Sequence, residues 1–365
     1  MTEFITCASC QTPYPPQGVP YRCPTCGGIY DYATWPEYEI TPRDAHLPGI
    51  WRYRTALGLP ADAPVVSLGE GNTPLVWTEA FGRQVAFKCE YINPTGSFKD
   101  RGAATMVSFL LSRGVSEAVE DSSGNAGAAF AAYAARAGIK ARVFVPDYAS
   151  GPKRDQIAAY GAEVVRVQGP RSATAEKVRS LADSGCTYAS HVYLPQVSPG
   201  YATIAYELVE QLGGLPGTVI APVGQGSLLL GVGRGFVAMR KAGIISHLPR
   251  LLGVQAAACA PLVALATFGS AGLGEVVEGQ TLAEGVRVLQ PAHGSTVFQM
   301  VTSTKGVFVA VEEAQILPGR DQLARRGLYV EPTSALVWDA MSQVAENVPE
   351  PIVAILTGFG LKYYG

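Results

Sequence analysis

Four cysteines stand near the start of the chain in the order Cys7-x2-Cys10-x12-Cys23-x2-Cys26. Two knuckles of this kind can place four thiolates tetrahedrally about one Zn²⁺, and Gly27-Gly28 permit the tight turn of the second. Four thiolates leave no open coordination position, so the expected role is structural. Cys89, Cys186 and Cys259 lack such spacing and read as core thiols. Seven cysteines without a basic and apolar leader favour a reducing compartment, so a cytoplasmic protein is expected.

A second kind of chemistry centres on Lys99, in Asn93-Pro94-Thr95-Gly96-Ser97-Phe98-Lys99-Asp100-Arg101-Gly102. A turn here delivers one lysine to the start of a helix. Helix-end potential and burial both depress an amine's pKa, as a Schiff-base lysine requires. A lysine at a helix start is also an ordinary surface residue, and only the full ten-residue string is specific. Ser122-Ser123-Gly124-Asn125-Ala126-Gly127 reads as a strand-to-helix turn whose free N–H groups can face an anion, or as a plain N-cap. Pro222-Val223-Gly224-Gln225-Gly226-Ser227-Leu228 is again strand, glycine turn and helix, able to cradle a phosphate. It is not the dinucleotide fingerprint, because position 229 is Leu where that pattern needs Gly. Leu356-Thr357-Gly358-Phe359-Gly360 offers one hydroxyl at a strand end.

The elements that must hold these residues alternate. Strands are expected at 85–88, 117–120, 141–145, 163–167, 217–222, 251–255 and 352–356. Helices are expected at 98–113, 126–137, 153–160, 172–183, 203–211, 228–241 and 334–346. Short apolar strands with intervening helices are the pattern of parallel βαβ units, and the class is α/β. The glycine-rich stretch 269–279 reads as a surface loop.

Composition narrows the partners. With 28 Lys+Arg against 30 Asp+Glu in 365 residues, no general field gathers nucleic acid or acidic lipid, and a small-molecule substrate is expected. The apolar stretch from Ala256 to Phe268 is broken by Pro261 and falls short of the ~20 residues a spanning helix needs. No GxSxG elbow, HExxH pair or P-loop occurs. His46, His191, His247 and His293 are isolated; His191 and His293 could come near a site from loops, and each reads first as a satisfied structural histidine.

Taken together, NPTGSFKDRG, SSGNAG with the following AAYAARAGIKARVFVP, the glycine turn after Pro222 and TGFGLK resemble a fold-type-II pyridoxal-phosphate enzyme of the threonine synthase branch. The resemblance covers about residues 65–362, and an N-terminal cysteine ribbon is also met in that branch. It implies two doubly wound parallel-sheet domains with the cofactor in the cleft, preceded by a zinc ribbon. The expected boundaries are a ribbon at 1–30, a connector at 31–64, a large domain of 65–92 and 190–365, and a small domain of 93–189.

The resemblance also implies roles. Lys99 would carry the cofactor and shuttle protons at the substrate's α and β carbons. Asn125 would bond the 3′-oxygen, Gly224, Gln225, Gly226 and Ser227 would hold the phosphate, and Thr357 would face the pyridine nitrogen. The substrate carboxylate would sit on Ser122, Ser123, Gly124 and Ala126. Lys88, Ser97, Arg101, Lys153 and Arg154 are the candidates for a second phosphate. The implied reaction converts O-phospho-L-homoserine and water to L-threonine and phosphate, in a homodimer. Three departures keep alternatives open: Ser198–Thr203 has no base where many relatives carry one, GQGSL also resembles dehydratases and cysteine synthases, and Phe359 stands where polar residues are usual. The alternatives are β-elimination or β-replacement on another amino acid, as in serine or threonine dehydratases and cysteine- or cysteate-forming enzymes, and, more remotely, a catalytically silent binding protein.

Overall fold

The structure is a computed structural model and describes residues 4–42, 44–149 and 151–363. The strands are β1 (Ile5–Cys7), β2 (Tyr30–Tyr32), β3 (Leu75–Ala80), β4 (Arg83–Lys88), β5 (Glu117–Glu120), β6 (Lys140–Pro146), β7 (Glu163–Val167), β8 (Thr218–Pro222), β9 (Arg250–Ala256), β10 (Phe308–Val311) and β11 (Ile352–Ile355). The α-helices are α1 (Lys99–Ser112), α2 (Asn125–Ala137), α3 (Pro152–Ala159), α4 (Arg171–Asp183) and α5 (Val197–Leu212) in the first part of the chain. They continue as α6 (Ser227–Lys241), α7 (Pro261–Phe268), α8 (Gly294–Ser303), α9 (Glu313–Ala324) and α10 (Pro332–Val344).

Two compact units divide the chain. The first comprises residues up to Gly71 and Asn93–Gly200, and the second Asn72–Ile92 and Tyr201–Tyr363. The ribbon and connector therefore belong with the first unit, where the sequence reading separates them. The reason is packing: connector residues Trp51 and Tyr53 are fully buried, and Trp51 Nε1 donates to Glu70 Oε1 at 2.7 Å. Tyr133 of α2 donates to the other oxygen of the same carboxylate, also at 2.7 Å.

In the first unit β5, β6 and β7 form a parallel sheet in that order. Nine consecutive residues of α2, Ala126–Ala134, are buried, which explains why the helix is written almost wholly in alanine and glycine. The ribbon is a β1–β2 antiparallel pair, with Cys7 opposite Tyr30. Tyr21 of the ribbon enters a small core with Val119, Phe144, Val178 and Tyr188. Its hydroxyl donates to Asp183 at 3.0 Å, and Arg22 pairs with the same carboxylate at 2.8 Å.

The second unit has a six-stranded sheet in the order β10-β9-β8-β11-β4-β3. All neighbours are parallel except β3, which runs antiparallel to β4 at the edge. The two join through Phe81 and Gly82, both at positive φ (54° and 69°), the hairpin turn that matches strand twist. Neither this edge strand nor β10 is visible in the sequence reading, which expects parallel strands throughout. The 269–279 stretch begins as a 3-10 helix, Gly269–Glu275, instead of an open loop. Strands β8 and β11 are direct neighbours, with Ile220 opposite Ala354. Their carboxyl ends therefore emerge side by side, carrying the glycine turn and Thr357, the place where open parallel sheets bind ligands.

Candidate active site

In the first unit, a turn sets the lysine. Gly96 takes φ +86°, and its N–H donates to the Asn93 carbonyl at 2.8 Å. Asp100 reaches back to accept from the Thr95 N–H at 2.6 Å and from the Thr95 hydroxyl. This fixes the entry of the chain into α1 and makes Lys99 its first residue. The Lys99 ammonium lies 4.8 Å from the Phe98 ring centroid. Burial lowers its pKa to about 8, against an opposing pull from Glu120.

The second turn of this unit follows β5. Ser122 Oγ accepts from the Gly124 N–H at 3.2 Å, and α2 begins at Asn125 behind an extended Gly124. Gly127 is obligatory, since a Cβ there would stand 1.9 Å from the Ser122 carbonyl oxygen. The turn is thus pressed onto the first turn of a 13-residue helix, and Ser122, Ser123, Gly124, Asn125 and Ala126 gather at its amino end.

Behind this turn lies a cluster of which the sequence reading names only His191, as a histidine that could come near a site from a loop. Glu120, fully buried, has its Oε1 2.5 Å from His191 Nδ1. Asp121 accepts from Tyr188 at 2.7 Å and from Arg171 at 3.0 Å. Glu120, Asp121 and His191 offer ligand atoms within 4.8 Å of one another, but both Asp121 oxygens are committed and Arg171 already supplies the positive charge a cation would bring. Burial, then Lys99 and Arg171, hold the His191 ring well below its usual pKa. The signal in the sequence is a second glutamate closing β5 after Ala118 and Val119, where the strand is buried.

In the second unit, the turn after β8 is shaped for backbone approach. Gly226 takes φ +91°, and a Cβ on it would meet Val297 Cγ1 at 2.9 Å. A Cβ on Gly224 would come 2.7 Å from the Gly285 carbonyl oxygen. Gln225 uses its side chain elsewhere, accepting the Ala292 N–H at 2.8 Å. Ser227 opens the 15-residue helix α6. After β11, the Thr357 N–H donates to Ser334 Oγ at 2.9 Å. The Thr357 side-chain hydroxyl is buried with no hydrogen-bond partner among the described residues. Phe359 stacks on Tyr91 at 5.4 Å and 15°, which explains an aromatic at that place.

Two of the candidates for a second phosphate are engaged elsewhere in this structure. Lys88 is fully buried and bonds Glu207 Oε2 at 2.6 Å, the Thr73 carbonyl at 2.8 Å and Gln211 Oε1 at 2.9 Å, so its charge is held inside the second unit. Arg154 turns to the Ala149 carbonyl at 3.1 Å and to Asp155. Arg101 is fully buried in the first turn of α1. Gly200 has its own reason: a Cβ would lie 2.2 Å from the Arg101 carbonyl oxygen, so the 198–203 segment needs glycine where it meets α1. Ser97 is fully buried with its hydroxyl unpartnered among the described residues, and Lys153 stands half-buried in the first turn of α3.

The four ribbon cysteines come together. Cys7 and Cys26 sulfurs are 3.5 Å apart, Cys10 and Cys23 3.6 Å, and Cys10 and Cys26 3.3 Å, close enough for one shared ion.

Comparison with known proteins agrees with this layout. The family model described as "Pyridoxal-phosphate dependent enzyme" matches residues 66–358. The threonine synthase of Methanocaldococcus jannaschii is 33% identical, with 98% of this chain and 92% of that protein covered. Those of Synechocystis (34%; 85% and 82% covered) and Mycobacterium tuberculosis (33%; 88% and 91%) are similarly related. Among solved structures, the T.th. threonine deaminase superposes with TM-score 0.66 at 28% identity, covering 80% of this chain and 94% of that one. Maize serine racemase shares the fold at TM-score 0.66 and 22% identity, with 79% and 88% covered.

Proposed function

The chain belongs to the pyridoxal-phosphate-dependent enzymes, and from that premise we propose that it is a threonine synthase, a lyase that makes L-threonine and phosphate from O-phospho-L-homoserine and water. The observation that carries this reading is the 33% identity to a threonine synthase over 98% of the chain.

The residues present suit the cofactor. The unpartnered Thr357 hydroxyl suits a ring nitrogen, and the Gly224–Gly226 turn, with no room for a Cβ at either glycine and the Gln225 side chain held by Ala292, suits a phosphate taken by backbone N–H groups. Bound pyridoxal phosphate supplies an electron sink for the α and β carbons of the amino acid. On this reading Lys99 tethers the cofactor and, with an amine titrating at about 8, gives and takes protons at those carbons. Asn125 takes the 3′-oxygen, and Gly224, Gln225, Gly226 and Ser227 hold the phosphate. A hydroxyl at Thr357 leaves the ring less electron-withdrawing than a carboxylate would, which fits elimination and replacement. Ser122, Ser123, Gly124 and Ala126, at the amino end of α2, bind the substrate carboxylate. Ser97 and Lys153 remain as candidates for the substrate phosphate.

Cys7, Cys10, Cys23 and Cys26 hold a structural Zn²⁺ in the same proposal. A cytoplasmic homodimer, acting on a small amino acid and not on nucleic acid or membranes, completes it; the homodimer is carried over from the resemblance, the rest from composition.

A second reading is favoured by Lys88. Its burial removes one candidate for the substrate phosphate, and a threonine deaminase stands among the similar structures. That reading is β-elimination from an unphosphorylated amino acid. Incubation of the cofactor-loaded protein with O-phospho-L-homoserine, followed by NMR, decides: threonine and phosphate support the first reading. Intact substrate, with ammonia and a keto acid formed from threonine or serine, supports the second.

A further inference from the structure

The cysteine ribbon is fastened to the first unit at two places. At one, Tyr14 packs its ring against Phe109 of α1 at 6.1 Å, and Arg113, which caps that helix, donates to the Pro15, Pro16 and Gly18 carbonyls. At the other, Tyr21 enters a triad of rings. Its centroid lies 5.3 Å from that of Tyr188 and 5.6 Å from that of Tyr193, and those two are 6.2 Å apart. Asp183, the last residue of α4, holds the Tyr21 hydroxyl and Arg22 in place. Tyr21 presses on a strap that runs beside β5. The Val119 N–H donates to the Thr187 carbonyl and the Ala189 N–H to the Val119 carbonyl, each at 2.8 Å. Two side chains reach from this strap to the end of the strand. Tyr188 donates to Asp121 Oδ1 at 2.7 Å, and His191 Nδ1 lies 2.5 Å from Glu120 Oε1. Glu120 and Asp121 lead directly into Ser122–Ala126, the turn assigned to the substrate carboxylate. At its other end Tyr21 stands two residues before Cys23, whose N–H donates to the Gly28 carbonyl and whose carbonyl accepts the Gly27 N–H, both at 2.8 Å. The second cysteine knuckle therefore fixes the backbone that delivers Tyr21.

We propose that the ribbon is a positioning module for the substrate turn: Tyr21 holds Tyr188, and through it Asp121, in the arrangement that presents Ser122–Ala126 to a carboxylate, so that affinity for the amino-acid substrate follows the metal state of the four cysteines. Close-packed rings have no slack, so a shift of Tyr21 is passed to Tyr188 and from its hydroxyl to Asp121. With a metal on Cys23 and Cys26 the knuckle is tethered; without it the backbone at Tyr21 loses that constraint. The inference rests on the reading of this turn as the carboxylate site, and a carboxylate is common to phosphorylated and unphosphorylated amino acids alike. Tyr21 touches neither cofactor nor substrate and is a positioning residue. Its effect falls on binding, because Lys99 is set by a separate turn, through the bonds of Thr95 to Asp100.

The test compares wild type, wild type stripped by a chelator and then reloaded with Zn²⁺, Tyr21→Ala and Tyr21→Phe. In steady-state kinetics of the cofactor-loaded protein, Tyr21→Ala and stripped wild type are expected to raise KM roughly 3- to 30-fold and to change kcat less than about twofold. Tyr21→Phe, which keeps the ring, and Zn²⁺ reloading are expected to restore most of the affinity. A partly unfolded population does the opposite, lowering kcat and leaving KM. In the cofactor-free protein, amide hydrogen exchange of residues 120–125 and 187–193 is expected to quicken roughly tenfold in Tyr21→Ala, while α6 of the second unit keeps its wild-type rates. An unmoved KM, a fall in kcat alone, or wild-type exchange at 120–125 in Tyr21→Ala overturns the proposal. Stripped wild type with an unmoved KM overturns the dependence on metal. Should Tyr21→Ala not fold, Tyr188→Phe, which loses one hydroxyl and keeps its ring, is read by the same two measurements against the same criteria. Turnover of threonine or serine but not of O-phospho-L-homoserine, with the KM shift present, overturns the substrate reading and supports the module. Threonine formation with an unmoved KM does the reverse.

Discussion

The Lys88 ammonium stands 2.6 Å from Glu207 Oε2 with both side chains out of water, at 0% and 1% exposure. Lys88 closes β4, and Glu207 lies in the middle of α5, so one ion pair ties a central strand to that helix. Removing one partner leaves the other charge buried and uncompensated. Lys88→Met is expected to cost about 3–5 kcal/mol in chemical denaturation. Lys88→Met with Glu207→Leu is expected to recover most of that loss. A single variant as stable as wild type contradicts the reading.

Lys99 makes stability depend on pH in the cofactor-free protein. Its folded pKa is about 8 against an ordinary value of 10.5, so between those values the unfolded chain binds more protons than the folded one. Stability from this group therefore rises with pH across that window and is flat below it. The sign is that of a depressed lysine, costly when charged. Relative to wild type, Lys99→Met is expected to gain roughly 3 kcal/mol below pH 8, a difference that fades by about pH 10.5. Paired denaturation curves at the two ends of the range check it. Lys99→Met also loses the cofactor's tethered absorbance band.

Gly226→Ala meets two obstacles at once, a φ of +91° and Val297 at 2.9 Å. It is expected to destabilise the protein by about 1–3 kcal/mol and to weaken cofactor binding by more than about tenfold. Fluorescence titration with pyridoxal phosphate measures the second effect. A Gly→Ala change at Gly243, where a Cβ meets nothing, serves as the control for backbone strain alone.

Thr357→Val removes a buried hydroxyl that no protein group satisfies among the described residues. The cofactor-free protein is expected to be as stable as wild type or slightly more so. The loaded protein is expected to bind pyridoxal phosphate about 5- to 30-fold more weakly, the loss of one hydrogen bond of ~1–2 kcal/mol. Equal affinity would show that the hydroxyl does not meet the cofactor.

Metal analysis of protein purified without chelator is expected to find one zinc per chain, and none in Cys7→Ser with Cys10→Ser. Because Tyr21 packs with Tyr188 and bonds Asp183, zinc removal is expected to lower the unfolding midpoint of the first unit. Hydrogen exchange in α4 should report it first.

Much of the architecture is legible in the sequence because it is local. Glu117–Glu120 and Glu163–Val167 coincide with their expected bounds, and Asn125–Ala137 begins within one residue of its own. Short apolar strands between alanine-rich helices leave little choice. Leu75–Ala80 escapes because an edge strand exposes Trp77 and Glu79, and its pairing depends on a turn whose positive-φ Phe81 carries no sequence mark. The site follows the same division. Lys99, Gly224, Gly226 and Thr357 sit in turns that sequence patterns announce. The destination of the Lys88 side chain is set by Glu207, 119 residues away, and no spacing rule reaches that far. Glu120 and His191 are 71 residues apart, and their pairing escapes for the same reason.

Tyr21 has a consequence for anyone who would shorten this chain. The first thirty residues look detachable, a cysteine-bearing appendage ahead of a catalytic body. Yet Tyr21 fills a core whose other tyrosine, Tyr188, anchors Asp121 at the threshold of the Ser122–Gly124 turn. Trimming the appendage would open a hole one tyrosine deep beneath the Ser122–Gly124 turn, so a minimal enzyme cut at residue 31 would need an aromatic plug grafted in Tyr21's place.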